Sequence, residues 1–201
     1  SDTVYMIFCP AQETKKTLIK KKIFKPEKIF VLRDPVFSIN EFINSKKDQI
    51  LDKKFEKNNI ILVGRLTKQK NFDLMIEAYK QNKNLSKKFK VFIFGEGELR
   101  DKLKKKIVNY NLENRIIFLG HKDNIYKYMA NSKLFILTSL WEDPGFVLVE
   151  AAINNVTILS SNCPSGPEEI INKNEYGGYL FRNNDLESIN EKFNLFIKDS
   201  E

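Results

Sequence analysis

Histidine is nearly missing from this chain: among 201 residues there is only His121. A lone loop histidine is most often solvated, so no catalytic role is assigned to it. Cysteine is almost as scarce. Cys9 and Cys163 stand far apart, in neither a metal-ligand spacing nor a disulfide framework. No histidine accompanies Cys163, which argues against thiol catalysis. A reducing cytoplasm fits this usage. No stretch is long and apolar enough to span a bilayer. The opening Ser1-Asp2-Thr3 lacks the basic and apolar pattern of a secretory leader, so none is expected.

Lysine is what the chain has in excess. Net charge is +8 and the isoelectric point is about 9.3. Runs such as Lys20-Lys21-Lys22 and Lys104-Lys105-Lys106 could suggest nucleic acid or an anionic membrane. Yet the lysines are scattered and aromatics do not interleave with them. No nucleic-acid motif appears, so no nucleic-acid partner is expected. Solvated helix faces explain the lysines better. A hydrophobic fraction of 42%, with 16 phenylalanines, supports a sizeable core.

From residue 60 onward, short apolar runs alternate with helical patterns. Strands are expected at 60–63, 91–94, 116–119, 134–138 and 157–160, with a weaker one at 179–181. Helices are expected at 72–81, 98–110, 124–130, 145–153, 167–171 and 186–197. Phe72, Met75, Ile76 and Tyr79 illustrate the helical spacing. This alternation predicts an α/β fold, with a Rossmann-like parallel sheet of about six strands and helices on both faces. Continuous apolar strands agree, because such strands are buried on both sides. Before this come a strand at 4–8, a basic helix at 13–22 and a strand at 29–33. A polar stretch, 37–56, reads as a boundary or linker. A strand-helix-strand piece cannot bury its own core. Residues 1–48 are therefore expected to be the tail of another domain or an extra layer, and 49–201 the main domain.

Ligands of open parallel sheets bind beyond the carboxyl ends of the strands. Gly64, Arg65 and Lys70 follow the first main strand and precede a helix. Two cations there suit a phosphate or diphosphate. A basic loop with Asn71 or Thr67 capping the helix is the equal alternative. Gly95-Glu96-Gly97 reads as a tight turn or a close passage beside a ligand. Gly120-His121-Lys122 follows the third strand. The fourth is followed by Glu142-Asp143-Pro144-Gly145-Phe146-Val147, with Glu150 beyond. Asp143 fits a helix cap and Pro144 the first helical position. Glu142 is then expected at the mouth of the site, and Glu150 about two turns along the helix. A carboxylate between Val149 and Ala151 needs hydrogen-bond donors or a shifted pKa. A surface Glu142 and a lysine-paired Glu150 are the structural alternatives. Ser165 is a candidate cap for the next helix.

Together these segments resemble the family-four (group 1) glycosyltransferases of GT-B fold, which retain anomeric configuration. Gly64-Arg65-Leu66 with Lys70-Asn71 is similar to that family's phosphate loop, and Gly95-Glu96-Gly97 to its second glycine loop. Glu142 and Glu150 match its glutamate pair. Ser161 to Ile170 and the turn Gly177-Gly178-Tyr179-Leu180 resemble the loop and glycine turn that come next in many members. The resemblance implies that 49–201 is the nucleotide-sugar-binding, C-terminal half. Residues 1–48 would be a remnant of the N-terminal acceptor domain and the linker, with Pro35 near the start of the connection.

It further implies catalytic roles for Arg65, Lys70 and Glu142. Arg65 and Lys70 would hold the diphosphate and stabilise the leaving nucleotide, so neither metal nor cofactor is expected. Glu150 would bind ribose hydroxyls and Glu142 those of the transferred sugar. Amides around Gly145, Phe146 and Val147 would touch sugar and diphosphate. Gly64, Gly95 and Glu96 would line the site, and residues near His121 and Lys122 would flank the base. The expected partners are a nucleotide-sugar donor, in the first place a UDP-sugar, a saccharide or lipid-linked acceptor, and the rest of the N-terminal domain. A cytoplasmic location is expected, with peripheral contact at the inner membrane face. Alone, this stretch is expected to bind donor without transferring it. A non-catalytic nucleotide-sugar-binding module is the alternative. One departure stands out: members often read Glu-Gly-Phe-Gly where this chain has Glu142-Asp143-Pro144-Gly145.

Overall fold

The computed structural model describes residues 3–33, 38–171 and 178–200. Pro35 and Gly177, expected at a connection and a turn, lie outside the described residues. The N-terminal piece consists of β1 (Ile7–Cys9), α1 (Gln12–Lys20) and β2 (Ile29–Val31). Its strands are parallel, with Ile7 opposite Ile29. They are shorter than the 4–8 and 29–33 expected, because pairing covers only those three positions.

The helix α2 (Ile39–Lys46) lies within the stretch expected to be a linker. Its Ile39, Phe42 and Ile43 repeat at helical spacing. Phe42 packs edge-on against Tyr126, with ring centroids 5.4 Å apart. Polar neighbours mask that pattern in the sequence.

The main sheet contains β3 (Ile60–Val63), β4 (Val91–Phe94), β5 (Ile116–Gly120), β6 (Leu134–Leu137), β7 (Thr157–Ser161) and β8 (Gly178–Phe181). All neighbours are parallel, in the order β5-β4-β3-β6-β7-β8. The helices between and after them are α3 (Phe72–Gln81), α4 (Lys83–Lys88), α5 (Arg100–Asn109), α6 (Tyr126–Met129), α7 (Phe146–Ile153), α8 (Pro167–Ile170) and α9 (Leu186–Asp199).

Alternate strand residues feed two core layers, as the two-residue strand period requires. Ile60, Leu62, Ile93 and Ile136 pack with α3, α5 and α9. Ile61, Phe92, Phe94 and Phe135 pack with Tyr128 and Met129 of α6 and Leu148 of α7. Both faces are thus covered, which is why the strands read as unbroken apolar runs. Burying these side chains supplies about 1.5–3 kcal/mol each against chain entropy.

Helix ends differ from expectation where local chemistry competes. α5 starts at Arg100 rather than 98, after the Gly95–Gly97 turn. α6 is confined to Tyr126–Met129. α4 was not expected, having one buried apolar residue, Leu85, whose amide donates to the Asn82 side chain. No helix among the described residues is long and apolar enough to cross a membrane.

Candidate active site

The chain lays β4 and β5 to one side of β3, then returns to place β6 on the other. At such a reversal a crevice opens outside the carboxyl ends of the strands. The loops after β3 and β6 meet there.

A cleft of about 510 Å³ is lined by Gly64, Arg65, Gly95, Glu96, His121, Lys122 and Glu150, with Val63, Phe94, Asp123 and Ile125. Four separate chain segments contribute. Gly95 adopts φ +130°, and a Cβ there would stand 2.0 Å from the Gly64 carbonyl oxygen. The two loops touch backbone to backbone, which only glycine permits. A hollow of about 700 Å³ between Gln81–Asn84 and α9 contains none of these residues. It lies away from the strand-end loops.

Charge around the cleft is unevenly compensated. Glu96 pairs with Arg100 at 3.2 Å, and Lys122 with Asp52 at 3.1 Å. His121 is exposed, 3.5 Å from Asp123. Arg65 is exposed and has no ion pair among the described residues. Glu150 is half-buried on α7. Burial pushes its carboxyl up, and the Tyr126 hydroxyl, 3.4 Å away, offsets only part of this. Its partner is therefore a tyrosine rather than the lysine of the structural alternative.

Lys70 and Glu142 form a second group beside the cleft. The ammonium lies 2.6 Å from Glu142 Oε1, with the side chains 14% and 6% exposed. The Lys70 stem runs past Gly64, where a Cβ would be 3.4 Å from it. The pair bridges the ends of β3 and β6, the point of reversal. Glu142 is thus buried rather than at the mouth of the site, because Lys70 folds back over it. Thr138 Oγ1 donates to the Lys70 carbonyl at 2.8 Å, and Ser139 Oγ donates to Glu142 Oε1. Ser161 Oγ donates to the Ser139 carbonyl at 2.6 Å.

The turn after Glu142 also departs from expectation. Asp143 does not cap α7 and Pro144 is not its first residue. Gly145, at φ 86°, is the N-cap and Phe146 begins the helix. Asp143 is engaged elsewhere: its Oδ1 accepts from Thr14 Oγ1 of α1 at 2.9 Å. The Pro144 carbonyl packs on Gly166, where a Cβ would be 1.7 Å away. Gly166, not Ser165, is the N-cap of α8. Asn71 likewise makes no side-chain cap to α3; its amide reaches Asn184 at 3.0 Å.

Phe146 lines a separate hollow with Pro10, Arg33 and Glu169. The side chain of Val147, partly buried, packs against the core. Glu169 accepts the first amides of α1, from Gln12 at 3.3 Å and Glu13 at 3.1 Å. It also lies 3.8 Å from Arg33. Burial pushes the Cys163 thiol up, which disfavours a thiolate nucleophile.

The cleft therefore unites Gly64, Arg65, Gly95, Glu96, His121, Lys122 and Glu150. Lys70, Glu142 and Gly145 adjoin one another: a Cβ on Gly145 would be 3.3 Å from the Glu142 Cγ. Ser139, Thr138, Tyr126 and Asp52 were not anticipated from sequence. A buried hydroxyl pair closing an apolar strand was the one available signal.

A family model described as "Glycosyl transferases group 1" matches residues 43–201. Over 160 residues the chain is 33% identical to the N-acetylgalactosamine-N,N'-diacetylbacillosaminyl-diphospho-undecaprenol 4-alpha-N-acetylgalactosaminyltransferase of Campylobacter jejuni, covering 80% of this chain and 42% of that protein. Over 193 residues it is 33% identical to the UDP-Gal:alpha-D-GlcNAc-diphosphoundecaprenol alpha-1,3-galactosyltransferase of Escherichia coli, covering 90% and 48%. The chain thus spans less than half the length of these relatives. Its fold matches Anabaena HepE, solved in complex with UDP, with a TM-score of 0.77 at 21% identity, covering 98% of this chain and 55% of that one.

Proposed function

The chain belongs to the group 1 glycosyl transferases, and from that membership we propose that it is the donor-binding part of a retaining glycosyltransferase. It takes a nucleotide-sugar, in the first place a UDP-sugar. The acceptor is a saccharide or lipid-linked sugar of surface polysaccharide or glycolipid synthesis. The relatives named for UDP-galactose and diphospho-undecaprenol substrates support this reading.

One observation carries it: Arg65, which has no ion pair among the described residues, and the desolvated Glu150 share a cleft at the strand ends. A phosphate would take the guanidinium. Ribose hydroxyls would supply donors to Glu150, relieving its burial. Lys70 shares the diphosphate charge, and Glu142 accepts from the transferred sugar. Backbone amides at Gly145, Phe146 and Val147 lie at the start of α7 and complete the anion contacts. His121 and Lys122 border the base, beside Gly64, Gly95 and Glu96. Departure of the nucleotide is stabilised by preorganised cations. The acceptor hydroxyl attacks the anomeric carbon from the face the diphosphate leaves, as the carbon–oxygen bond to phosphate breaks, and its proton passes to the departing phosphate oxygen, with no protein nucleophile. Neither metal nor cofactor enters.

In this reading residues 1–48 belong with an acceptor domain and linker, and 49–201 form the donor domain. The protein works in the cytoplasm, with peripheral contact at the inner membrane face. By itself this stretch binds donor and transfers nothing.

Calorimetry with UDP, GDP and ADP and their glucose, galactose and N-acetylhexosamine conjugates tests the assignment, in EDTA and again with magnesium. We expect binding of UDP and at least one UDP-sugar, unchanged by EDTA. Failure of every nucleotide to bind would refute donor binding. Binding only with magnesium would refute the metal-free form.

A further inference from the structure

Two adjacent hydroxyls close β6, and each ties down one member of the Lys70–Glu142 pair. Thr138 holds the Lys70 backbone at its carbonyl, and Ser139 holds the Glu142 carboxylate. Ser139 is fully buried and is itself anchored by Ser161 of β7. Its hydroxyl and the Lys70 ammonium both donate to Oε1 of Glu142, while Oε2 accepts from no group among the described residues.

This division has a consequence for a diphosphate in the cleft. An ammonium drawn to phosphate leaves Glu142, at 6% exposure, with only one donor. A buried carboxylate lacking donors either protonates or moves toward water. We infer that Ser139 is a positioning residue, whose hydroxyl keeps Glu142 Oε1 in place while Lys70 serves the phosphate, leaving Oε2 for a hydroxyl of the transferred sugar. The inference rests on the donor-binding reading above. Ser139 acts only through Glu142 and touches no substrate.

The test compares UDP with the tightest UDP-sugar, by calorimetry, for the unaltered chain, Ser139→Ala and Ser139→Thr. Circular dichroism and melting confirm folding, and Ser139→Cys, whose thiol is only a weak donor, replaces Ser139→Ala if that variant fails to fold. A bond to a charged group predicts about a tenfold loss of UDP-sugar affinity in Ser139→Ala. UDP affinity should fall by clearly less than that, because with no sugar to meet, the Glu142 carboxylate can turn toward water. The hydroxyl of Ser139→Thr should restore the difference. Equal losses for both ligands, or no loss, would make Ser139 merely structural and overturn the inference. An unaltered chain that binds UDP and its sugars equally would also overturn it, while leaving nucleotide binding intact. Failure of the unaltered chain to bind any nucleotide would remove the donor reading, and this role with it.

Discussion

Lys70→Met takes the ammonium away from Glu142 and leaves a carboxylate that is 6% exposed beside methylene groups. Breaking a buried pair by removing one partner typically costs about 3–5 kcal/mol. Lys70 is itself only 14% exposed, so solvent softens this little. Two features favour the lower end. Ser139 keeps its bond to Oε1, and methionine refills most of the lysine stem. We therefore expect a loss of about 3 kcal/mol. In a chain of this size each kcal/mol moves Tm by about 2–4 °C, giving a fall of about 6–12 °C. Glu142→Leu strands the ammonium instead, and the long lysine can partly swing to water. Its loss should be smaller. The double variant, with neither charge, should recover most of the stability, because removing both members of a buried pair is often nearly neutral. Urea unfolding of the four proteins at pH 7 measures the cycle, and contacting residues couple by about 0.5–3 kcal/mol. A Lys70→Met protein within about 0.5 kcal/mol of the unaltered chain would refute the reasoning, as would strictly additive losses.

Glu150→Gln should move stability and binding in opposite directions. Burial raises the Glu150 carboxyl above its ordinary 4.5, so between the ordinary and the raised value the folded state holds a proton that the unfolded state has released. Stability from this group therefore falls as pH rises from the ordinary value through the raised one. Glutamine removes that slope, so the variant should melt higher at pH 7 while binding UDP more weakly. Lower stability with normal UDP affinity would make Glu150 a structural residue. Gly95→Ala would drive a Cβ to within 2.0 Å of the Gly64 oxygen at φ +130°. Strain and backbone clash together should cost at least about 3 kcal/mol. An unchanged melting temperature would refute the close approach of the two loops.

The main sheet was legible because its strands are buried on both faces. Residues such as Ile60, Ile61 and Leu62 need no polar alternation. Parallel order then brought Gly64, Gly95, His121 and Glu150 to one edge, so the cleft was legible too. The turn after β6 was not. Asp143 and Pro144 carry helix-start chemistry, yet Thr14 and Gly166 claim them across the fold. No local pattern reveals a partner in α1. Ser139 was missed for a related reason. A single serine after a strand reads as a turn residue until its distant carboxylate is seen. Glu142 looked exposed because Lys70, its cover, lies far back in the sequence.

Glu142 and Asp143 are sequence neighbours whose carboxylates serve opposite masters. One grips Lys70 beside the sheet, and the other grips Thr14 on α1. A single peptide unit, about 3.8 Å between Cα atoms, separates them. A crank this short has little slack. Tilting α1 would strain the Thr14–Asp143 bond, one residue from the Lys70–Glu142 contact. Glu169 grips the first amides of the same helix and so acts as its bearing.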